Sequence, residues 1–148
     1  METKRVLIVE PNMSEADSKV LINELYGNGK LQGYEFLVES AVHPYGGISP
    51  GQVISRVENE INSEGLDAVI VAVNCFDWSD PSQFGLELTE RIRAANPSLP
   101  ILAAYDSKKS KKDRETNKKI LALGADELMF RYSGADKMKE ILDKYCKE

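Results

Sequence analysis

The sequence is poor in the residues from which many catalytic and metal sites are built. Its 148 residues include one histidine, one tryptophan and two cysteines. Cys75 and Cys146 are far apart and belong to neither a CxxC pair nor a metal-ligand pattern, so nothing supports a disulfide framework or a zinc site. His43 has no Ser, Cys or carboxylate motif beside it, so we expect a solvated loop histidine rather than a general base.

The sequence also lacks long apolar runs and an excess of positive charge. No window approaches about 18 uninterrupted apolar residues, and the first residues show no apolar segment that ends in a small-residue cleavage site. We therefore expect a cytoplasmic location and no membrane partner. The formal net charge is -5, whereas domains that bind nucleic acid are usually basic, so we expect no nucleic-acid partner.

Size and composition are those of a chain that folds. Hydrophobic residues make up 42% of the sequence and charged residues 29%, which is typical of a globular protein and not of a disordered one. We find no internal repeat, no low-complexity tract and no linker. A single domain over residues 1–148 is therefore expected.

Five short apolar runs have the length of β-strands. The first and third are unbroken rather than alternating, which is typical of strands covered on both faces. The five runs are Val6 to Val9, Tyr34 to Val38, Ala68 to Val73, Ile101 to Tyr105 and Glu127 to Phe130.

The segments between these runs have the spacing of amphipathic helices. The pattern is clear around residues 53–61, 84–95 and 138–145, and weaker at 13–21 and 111–123. Ser49 before Pro50, and Ser110 three residues before Asp113, are typical helix starts. The resulting βα alternation predicts a parallel sheet with helices on both faces, and ligands of such sheets bind at the carboxyl ends of the strands.

Several stretches resemble response-regulator receiver domains, the phospho-accepting modules of two-component signalling. They are VLIVEP, DAVIVA, GLELTERIRAANPSLPILAAY and LGADELMFR, which are distributed from Val6 to Arg131, and the resemblance extends over nearly the whole chain. The resemblance implies a flavodoxin-like (βα)5 fold, a doubly wound five-stranded parallel sheet in the order 2-1-3-4-5.

The resemblance also implies a site that this chain has mostly lost. In the family, an Asp on the third strand accepts the phosphoryl group and two acidic residues after the first strand help to hold Mg²⁺. A Thr or Ser ends the fourth strand, and a Lys ends the fifth. The positions that match in this chain are Ala72 for the acceptor, Glu10 and Pro11 for the acidic pair, Tyr105 for the hydroxyl residue and Arg131 for the Lys.

These replacements predict a receiver-like pocket without phosphorylation chemistry. A methyl group can neither attack phosphorus nor bind a metal, and Glu10 alone leaves Mg²⁺ with too few oxygen ligands. We therefore expect no metal, no cofactor and no enzymatic activity. We expect Arg131 to pair with Glu10, and Tyr105 to turn inward and fill the vacated pocket. The degenerate pocket consists of Glu10, Pro11, Ala72, Asn74, Tyr105 and Arg131.

The loop after the third strand is longer than in the family and leaves alternatives open. Phe76 and Trp78 either anchor a partner or fold back as a plug over the pocket. Asp77 or Asp80 is conceivable as a displaced phosphoryl acceptor in a phosphorelay, although a loop carboxylate lacks fixed in-line geometry. A small-ligand sensor at the strand ends is a further alternative.

The last signal is a lysine-rich stretch that includes Lys111, Lys112 and Lys119. It has no interleaved aromatic residues, and a solvated helix face is its plainest interpretation. In receiver-like proteins the fourth helix, with the fifth strand and fifth helix, commonly forms a dimerisation or output surface. The resemblance therefore implies signalling through an acidic protein partner or through self-association on this face.

Overall fold

A computed structural model describes residues 3–10, 33–39, 49–63, 65–74, 80–131 and 134–146 of the chain. Its strands are β1 (Lys4–Val9), β2 (Tyr34–Glu39), β3 (Ala68–Ala72), β4 (Ile101–Tyr105) and β5 (Glu127–Phe130). The helices of the described residues are α1 (Pro50–Ser63), α2 (Pro81–Ala95), α3 (Lys111–Leu123) and α4 (Ala135–Tyr145). The helix predicted around residues 13–21 lies outside the described residues, as does His43.

The strands form one parallel sheet in the order β2-β1-β3-β4-β5, which confirms the predicted topology. The central strand β3 is buried along its whole length, and Val6 to Val9 of β1 are buried as well. The unbroken apolar runs of these two strands predicted that they are covered on both faces, and this is confirmed because helices pack on both faces of the sheet.

Alternation along the strands divides the core into two layers. On one face, residues such as Leu7 and Val71 pack with α1, α2 and Ile120 of α3; we call this the first core layer. On the other face, residues such as Ile8 and Met129 pack with the apolar side of α4, and this is the second core layer. Successive residues of a strand point to opposite faces, so the layer of a residue near a strand end shows which way its side chain points.

The helix starts follow their predicted capping residues. Before α1, the Ser49 backbone N–H donates to Gln52 Oε1 at 2.9 Å, and the Gln52 N–H donates to Ser49 Oγ at 3.3 Å. Before α3, Ser110 Oγ accepts from the Asp113 N–H at 3.0 Å. The side-chain hydrogen bond with Ser110 also lowers the pKa of the Asp113 carboxyl. Both starts are reciprocal capping boxes, which satisfy donors that a helix leaves unpaired.

Helix α2 begins in close contact with the end of β3. The Gly85 N–H donates to the Val73 carbonyl oxygen at 3.2 Å, and a Cβ on Gly85 would lie 2.3 Å from that same oxygen. A side chain larger than hydrogen does not fit there. Gly85 of the GLEL stretch therefore sets how closely the helix approaches the carboxyl end of the central strand.

A single arginine connects three segments at the opposite, amino end of the sheet. Arg93 donates to the backbone oxygens of Pro97 at 2.9 Å, Leu99 at 2.8 Å and Gly124 at 2.7 Å, and to Asp126 Oδ2 at 2.9 Å. The same Asp126 oxygen accepts from the first N–H of β4 at 2.8 Å. We call this the Arg93 clamp, and it joins the residues before β4 to those before β5.

No helix within the described ranges is both long and apolar enough to cross a membrane.

Candidate functional site

The carboxyl ends of the parallel strands bring the predicted pocket residues to one edge of the sheet. Glu10 follows β1, Ala72 ends β3, Tyr105 ends β4 and Arg131 follows β5. Pro11 of the predicted pocket lies outside the described residues, as do Cys75, Phe76, Asp77 and Trp78 of the following loop. The site is thus described by what the first, third, fourth and fifth strands contribute.

Arg131 occupies the centre of this edge and contacts two carboxylates. Its Nη2 lies 2.8 Å from Glu10 Oε1, and its Nη1 lies 3.2 Å from Asp106 Oδ1. The side chains of Arg131 and Glu10 are each 8% exposed, and that of Asp106 is 23% exposed. We call these three residues the Arg131 cluster. The predicted pair between Arg131 and Glu10 is present, and Asp106 is a second partner that was not predicted.

Backbone hydrogen bonds fix both ends of the main ion pair. The Glu10 N–H donates to the Glu39 carbonyl oxygen at 2.8 Å, which extends the pairing of β1 with β2 by one residue. The Arg131 N–H donates to the Tyr105 carbonyl oxygen at 3.0 Å and does the same for β4 and β5. A buried charge is tolerated when it is paired, and these two backbone hydrogen bonds hold the residues from which the two side chains meet.

The Arg131 cluster crosses the sheet above its smallest side chains. In the strand order β3 lies between β1 and β4, so a guanidinium that contacts both Glu10 and Asp106 spans the end of β3. Ala72 is 3% exposed at this end, and it is in register with Ala104 of β4, which is 7% exposed. Two neighbouring methyl groups leave room for the guanidinium, and a longer side chain at either position would reduce that room.

We expected Tyr105 to turn inward and fill the vacated pocket, but its ring lies elsewhere. Its ring centroid lies 5.7 Å from that of Phe130 at an interplanar angle of 50°, and the ring packs against the first core layer. Ala104, the preceding residue, belongs to the second core layer. Because side chains alternate along a strand, Tyr105 points to the face of the sheet opposite Ala104. Phe130, which follows Met129 of the second core layer, points to that same face and is its aromatic partner.

The residues present do not fit Mg²⁺. Hard cations of this kind take oxygen ligands, but Ala72 has none to offer and Glu10 is paired with a guanidinium. Within the described ranges no three His, Cys, Asp or Glu side chains are grouped so that they could hold a metal ion. Among the described residues at this edge of the sheet, Arg131 brings a positive charge to Glu10 and Asp106.

The other predicted residues lie at the margin of the cluster. Asn74 follows β3 and is partly buried, and Asp80 is exposed immediately before α2. The Asp80 carbonyl oxygen accepts from the Gln83 N–H at 3.1 Å, as expected for the residue that precedes a helix. Lys111, Lys112 and Lys119 are all exposed on α3, on the surface that the sequence singled out for a partner.

Sequence reasoning missed the role of Asp106, although a signal was present. Asp106 directly follows β4, and it is separated by one residue from Ala104, so both point to the same face of the sheet. Arg131 is likewise two residues beyond Met129 of the second core layer. Because Ala104 and Met129 are in register, the same register continued by two residues brings Asp106 beside Arg131.

Comparisons with known proteins identify the fold. No family model matches the chain, and no curated protein sequence matches it. Among solved structures, the receiver domain of the sensor histidine kinase PA1611 from Pseudomonas aeruginosa PAO1 is similar over 98% of each chain, with 17% identity and a TM-score of 0.65. A CheY-like receiver domain protein from Methanospirillum hungatei JF-1 is similar over 97% of each chain, with 21% identity and a TM-score of 0.59.

Two of the similar structures contain a metal ion, and one of these also contains a phosphorylated residue. The PA1611 domain has a magnesium ion coordinated in its active-site cleft. A response regulator from Burkholderia pseudomallei contains a phosphorylated aspartic acid and a calcium ion; it matches 97% of this chain and 67% of its own, with 14% identity and a TM-score of 0.62. The chain has the flavodoxin-like fold of response-regulator receiver domains.

Proposed function

We propose that this chain is a receiver-like signalling domain that is not switched by phosphorylation and that acts by binding another protein. The observation that carries the proposal is Arg131, buried between Glu10 and Asp106 beside a strand that ends in Ala72. The proposal covers residues 1–148 as one domain with no enzymatic activity of its own.

The chemistry of Ala72 supports the first part of the proposal. A receiver accepts a phosphoryl group on a carboxylate that also binds the metal, and a methyl group can do neither. Glu10 could in principle offer its carboxylate instead. However, Glu10 is buried and its Oε1 lies 2.8 Å from the Arg131 guanidinium, so that the ion pair competes with attack on a phosphoryl donor.

The Arg131 cluster supports the second part. Its guanidinium is a permanent cation at this edge of the sheet, because arginine is not deprotonated in proteins. Removing one partner of a buried ion pair typically costs about 3–5 kcal/mol, so the cluster favours a single arrangement of the strand ends. Any change of state must then come from a partner that binds one conformation better than another.

Exposed side chains support one surface as the place for such a partner. Lys111, Lys112 and Lys119 on α3, together with the 39% exposed ring of Phe130 on the edge strand β5, lie on the side of the sheet that ends with β5. Partner binding or self-association on the surface formed by α3, β5 and α4 is therefore part of the proposal.

A phosphorylation assay with intact-mass detection tests the proposal. The purified chain is incubated with Mg²⁺ and acetyl phosphate, and separately with beryllofluoride, next to an active receiver domain as positive control. We expect an unchanged mass and unchanged tryptophan fluorescence. A stoichiometric phosphoryl adduct would refute the proposal, and peptide mapping to Asp77 or Asp80 would identify a displaced acceptor.

A restored variant makes a negative result informative. The combined changes Pro11→Asp, Ala72→Asp, Tyr105→Thr and Arg131→Lys return the family's residues to the matching positions. We expect this variant to form an adduct with acetyl phosphate while the natural chain does not. If the folded variant also stays unmodified, the loss of reactivity has a cause other than these four residues, and the assignment of the site is wrong.

A further inference from the structure

The segment 108–119 contains seven basic residues and two acidic ones. This is a local excess of five positive charges in a chain whose formal net charge is -5, so the remainder of the chain is strongly acidic. We call the exposed side chains of this segment the lysine surface: Lys108, Lys109, Lys111, Lys112, Lys118 and Lys119.

The lysine surface differs from the rest of the described chain in how its charges are paired. Elsewhere, eight cationic side chains lie within 4.0 Å of a carboxylate oxygen: Arg5, Arg56, Arg91, Arg93, Arg131, Lys137, Lys139 and Lys144. On the lysine surface, Lys111 alone has such a contact in the described ranges, at 3.9 Å from Glu115, and both side chains are more than half exposed. Intramolecular pairing thus leaves five of its lysines available to a partner.

Helix geometry arranges four of these lysines in two parallel rows. Lys111 and Lys118 are seven residues apart, and so are Lys112 and Lys119. Seven residues are close to two helical turns, so each pair lies on one line along α3, with its Cα atoms about 10.5 Å apart. The buried side of the helix consists of Thr116, Asn117 and Ile120, which leaves both rows on the outward side.

A contact at the helix start keeps the preceding loop close to these rows. The Arg114 guanidinium donates to the Lys109 carbonyl oxygen at 2.8 Å and to that of Lys108 at 3.2 Å. Arg114 is therefore bound to the backbone of its own loop, and the cations left for a partner are lysines. Lysine is a compact point charge that suits single carboxylates, whereas planar bidentate recognition favours arginine.

We infer that the lysine surface binds an acidic helical segment of another protein whose carboxylates are spaced seven residues apart. Two such carboxylates on a helix repeat at the same distance as the lysine rows. A nucleic acid fits less well, because its phosphates follow one another along the whole duplex and would extend beyond the rows onto an acidic chain, whereas a helical segment can present carboxylates at the rows alone. This inference rests on the proposed function only in that both have the domain act through a bound protein.

Peptide binding measured by fluorescence anisotropy tests the inference. The probe is a labelled helical peptide of about three heptads with glutamate pairs every seven residues, compared with a scrambled peptide of the same composition and with a duplex DNA. We expect the heptad peptide to bind about tenfold more tightly than the scrambled one, and binding to weaken as salt is raised. Equal binding of the two peptides, or tighter binding of the DNA, overturns the inference.

Two triple variants with the same change in net charge separate the surface from bulk electrostatics. Lys112→Gln, Lys118→Gln and Lys119→Gln should weaken peptide binding about tenfold or more. Arg5→Gln, Arg56→Gln and Arg91→Gln remove three cations that lie within 4.0 Å of carboxylates and outside the surface formed by α3, β5 and α4, and should change binding less than about twofold. Equal losses in the two variants would contradict the inference.

The outcome is independent of the phosphorylation assay. A chain that stays unmodified by acetyl phosphate but does not discriminate between the peptides keeps the proposed function and loses this inference. A chain that forms a phosphoryl adduct and still prefers the heptad peptide does the reverse. Circular dichroism of both triple variants controls for folding, and light scattering of the natural chain alone distinguishes a second copy as the occupant, which would also contradict the inference.

Discussion

Arg131 and Glu10 lie 2.8 Å apart although they follow strands that are not neighbours in the sheet. Two strands, β3 and β4, separate β1 from β5, and their ends contribute alanines in the row below the ion pair. The contact therefore depends on two long side chains that converge over two short ones.

Replacing Arg131 by Met should destabilise the fold by about 3–5 kcal/mol, because it leaves the buried Glu10 carboxylate without its counter-ion. Urea unfolding followed by circular dichroism measures the change. Arg91→Met is the matched control, since Arg91 pairs with Glu58 at 2.9 Å on the surface, where the two side chains are 46% and 35% exposed. The control should cost about 0.2–1 kcal/mol, and equal losses would show that burial of the Arg131 cluster adds nothing.

Replacing Ala72 by Asp should not by itself restore phosphorylation, and it should make stability depend on pH. The new carboxylate would be buried beside Glu10 and Asp106, with one guanidinium for three acids, so its pKa should be raised in the folded state. A carboxyl group whose pKa is higher in the folded than in the unfolded state destabilises the fold when it is ionised. This loss of stability becomes smaller as the pH falls toward the pKa of the folded state.

The penalty of Ala72→Asp should therefore be larger at pH 7 than at about pH 5. Ala72→Asn has nearly the same shape and no ionisable group, so its penalty should be similar at the two pH values. The two variants are compared by the midpoint of urea unfolding. A penalty of Ala72→Asp that does not change with pH would mean that the position is better solvated than its 3% exposure indicates.

Gly85→Ala should destabilise the fold by about 2 kcal/mol or more, because its Cβ would lie 2.3 Å from the Val73 carbonyl oxygen. Gly51→Ala in α1 is the control, since the nearest atom, Ser49 Oγ, is 4.0 Å from the added Cβ. Alanine is preferred to glycine within a helix, so this second change should stabilise by about 0.5–1 kcal/mol. Thermal unfolding distinguishes the two, and two changes of the same sign would contradict the packing described for Gly85.

Cys146 should react slowly with iodoacetamide in the folded chain and quickly in urea. It is 8% exposed, and burial raises the pKa of its thiol from 9.0 to about 11, with a further contribution from Asp67. The reactive thiolate is therefore scarce at pH 8. The experiment uses a Cys75→Ser background, so that one thiol is measured by mass spectrometry.

The same shift predicts how stability responds to alkali. Between pH 9.0 and about 11 the unfolded chain has released the Cys146 proton and the folded chain has retained it. Stability contributed by this thiol is therefore complete below pH 9.0 and is lost as the pH rises through that window. In the same Cys75→Ser background, Cys146→Ala should show a smaller loss of stability over this range. An identical alkaline loss in both chains would contradict the shift.

The sequence predicted the scaffold well because the scaffold depends on periodic and local signals. Val6 to Val9 and Ala68 to Ala72 are buried on both sides, as their unbroken apolar runs indicated. The capping residues Ser49 and Ser110 mark helix starts through hydrogen bonds that span only three residues. Such signals do not require knowledge of which distant segments meet.

The site was predicted less completely because it depends on side-chain direction across several strands. The pair between Arg131 and Glu10 could be predicted from their opposite charges, because each residue directly follows a strand of the same parallel sheet. The direction of Tyr105 requires the alternation of β4 and the position of Phe130, and Asp106 requires the register of β4 with β5. The roles suggested for Phe76, Trp78 and Asp77 concern residues outside the described part of the chain and stay predictions.

The Arg93 clamp and the Arg131 cluster lie at opposite ends of the sheet. RIR, NPSLP and LGAD, which belong to the stretches that resemble receiver domains, meet at the clamp, at the amino end of the sheet, whereas Glu10, Ala72 and Arg131 lie at the carboxyl end. None of the hydrogen bonds of the clamp involves Glu10, Ala72 or Arg131. Because the clamp does not include these residues, the carboxyl end is the place at which to install a new binding specificity by design.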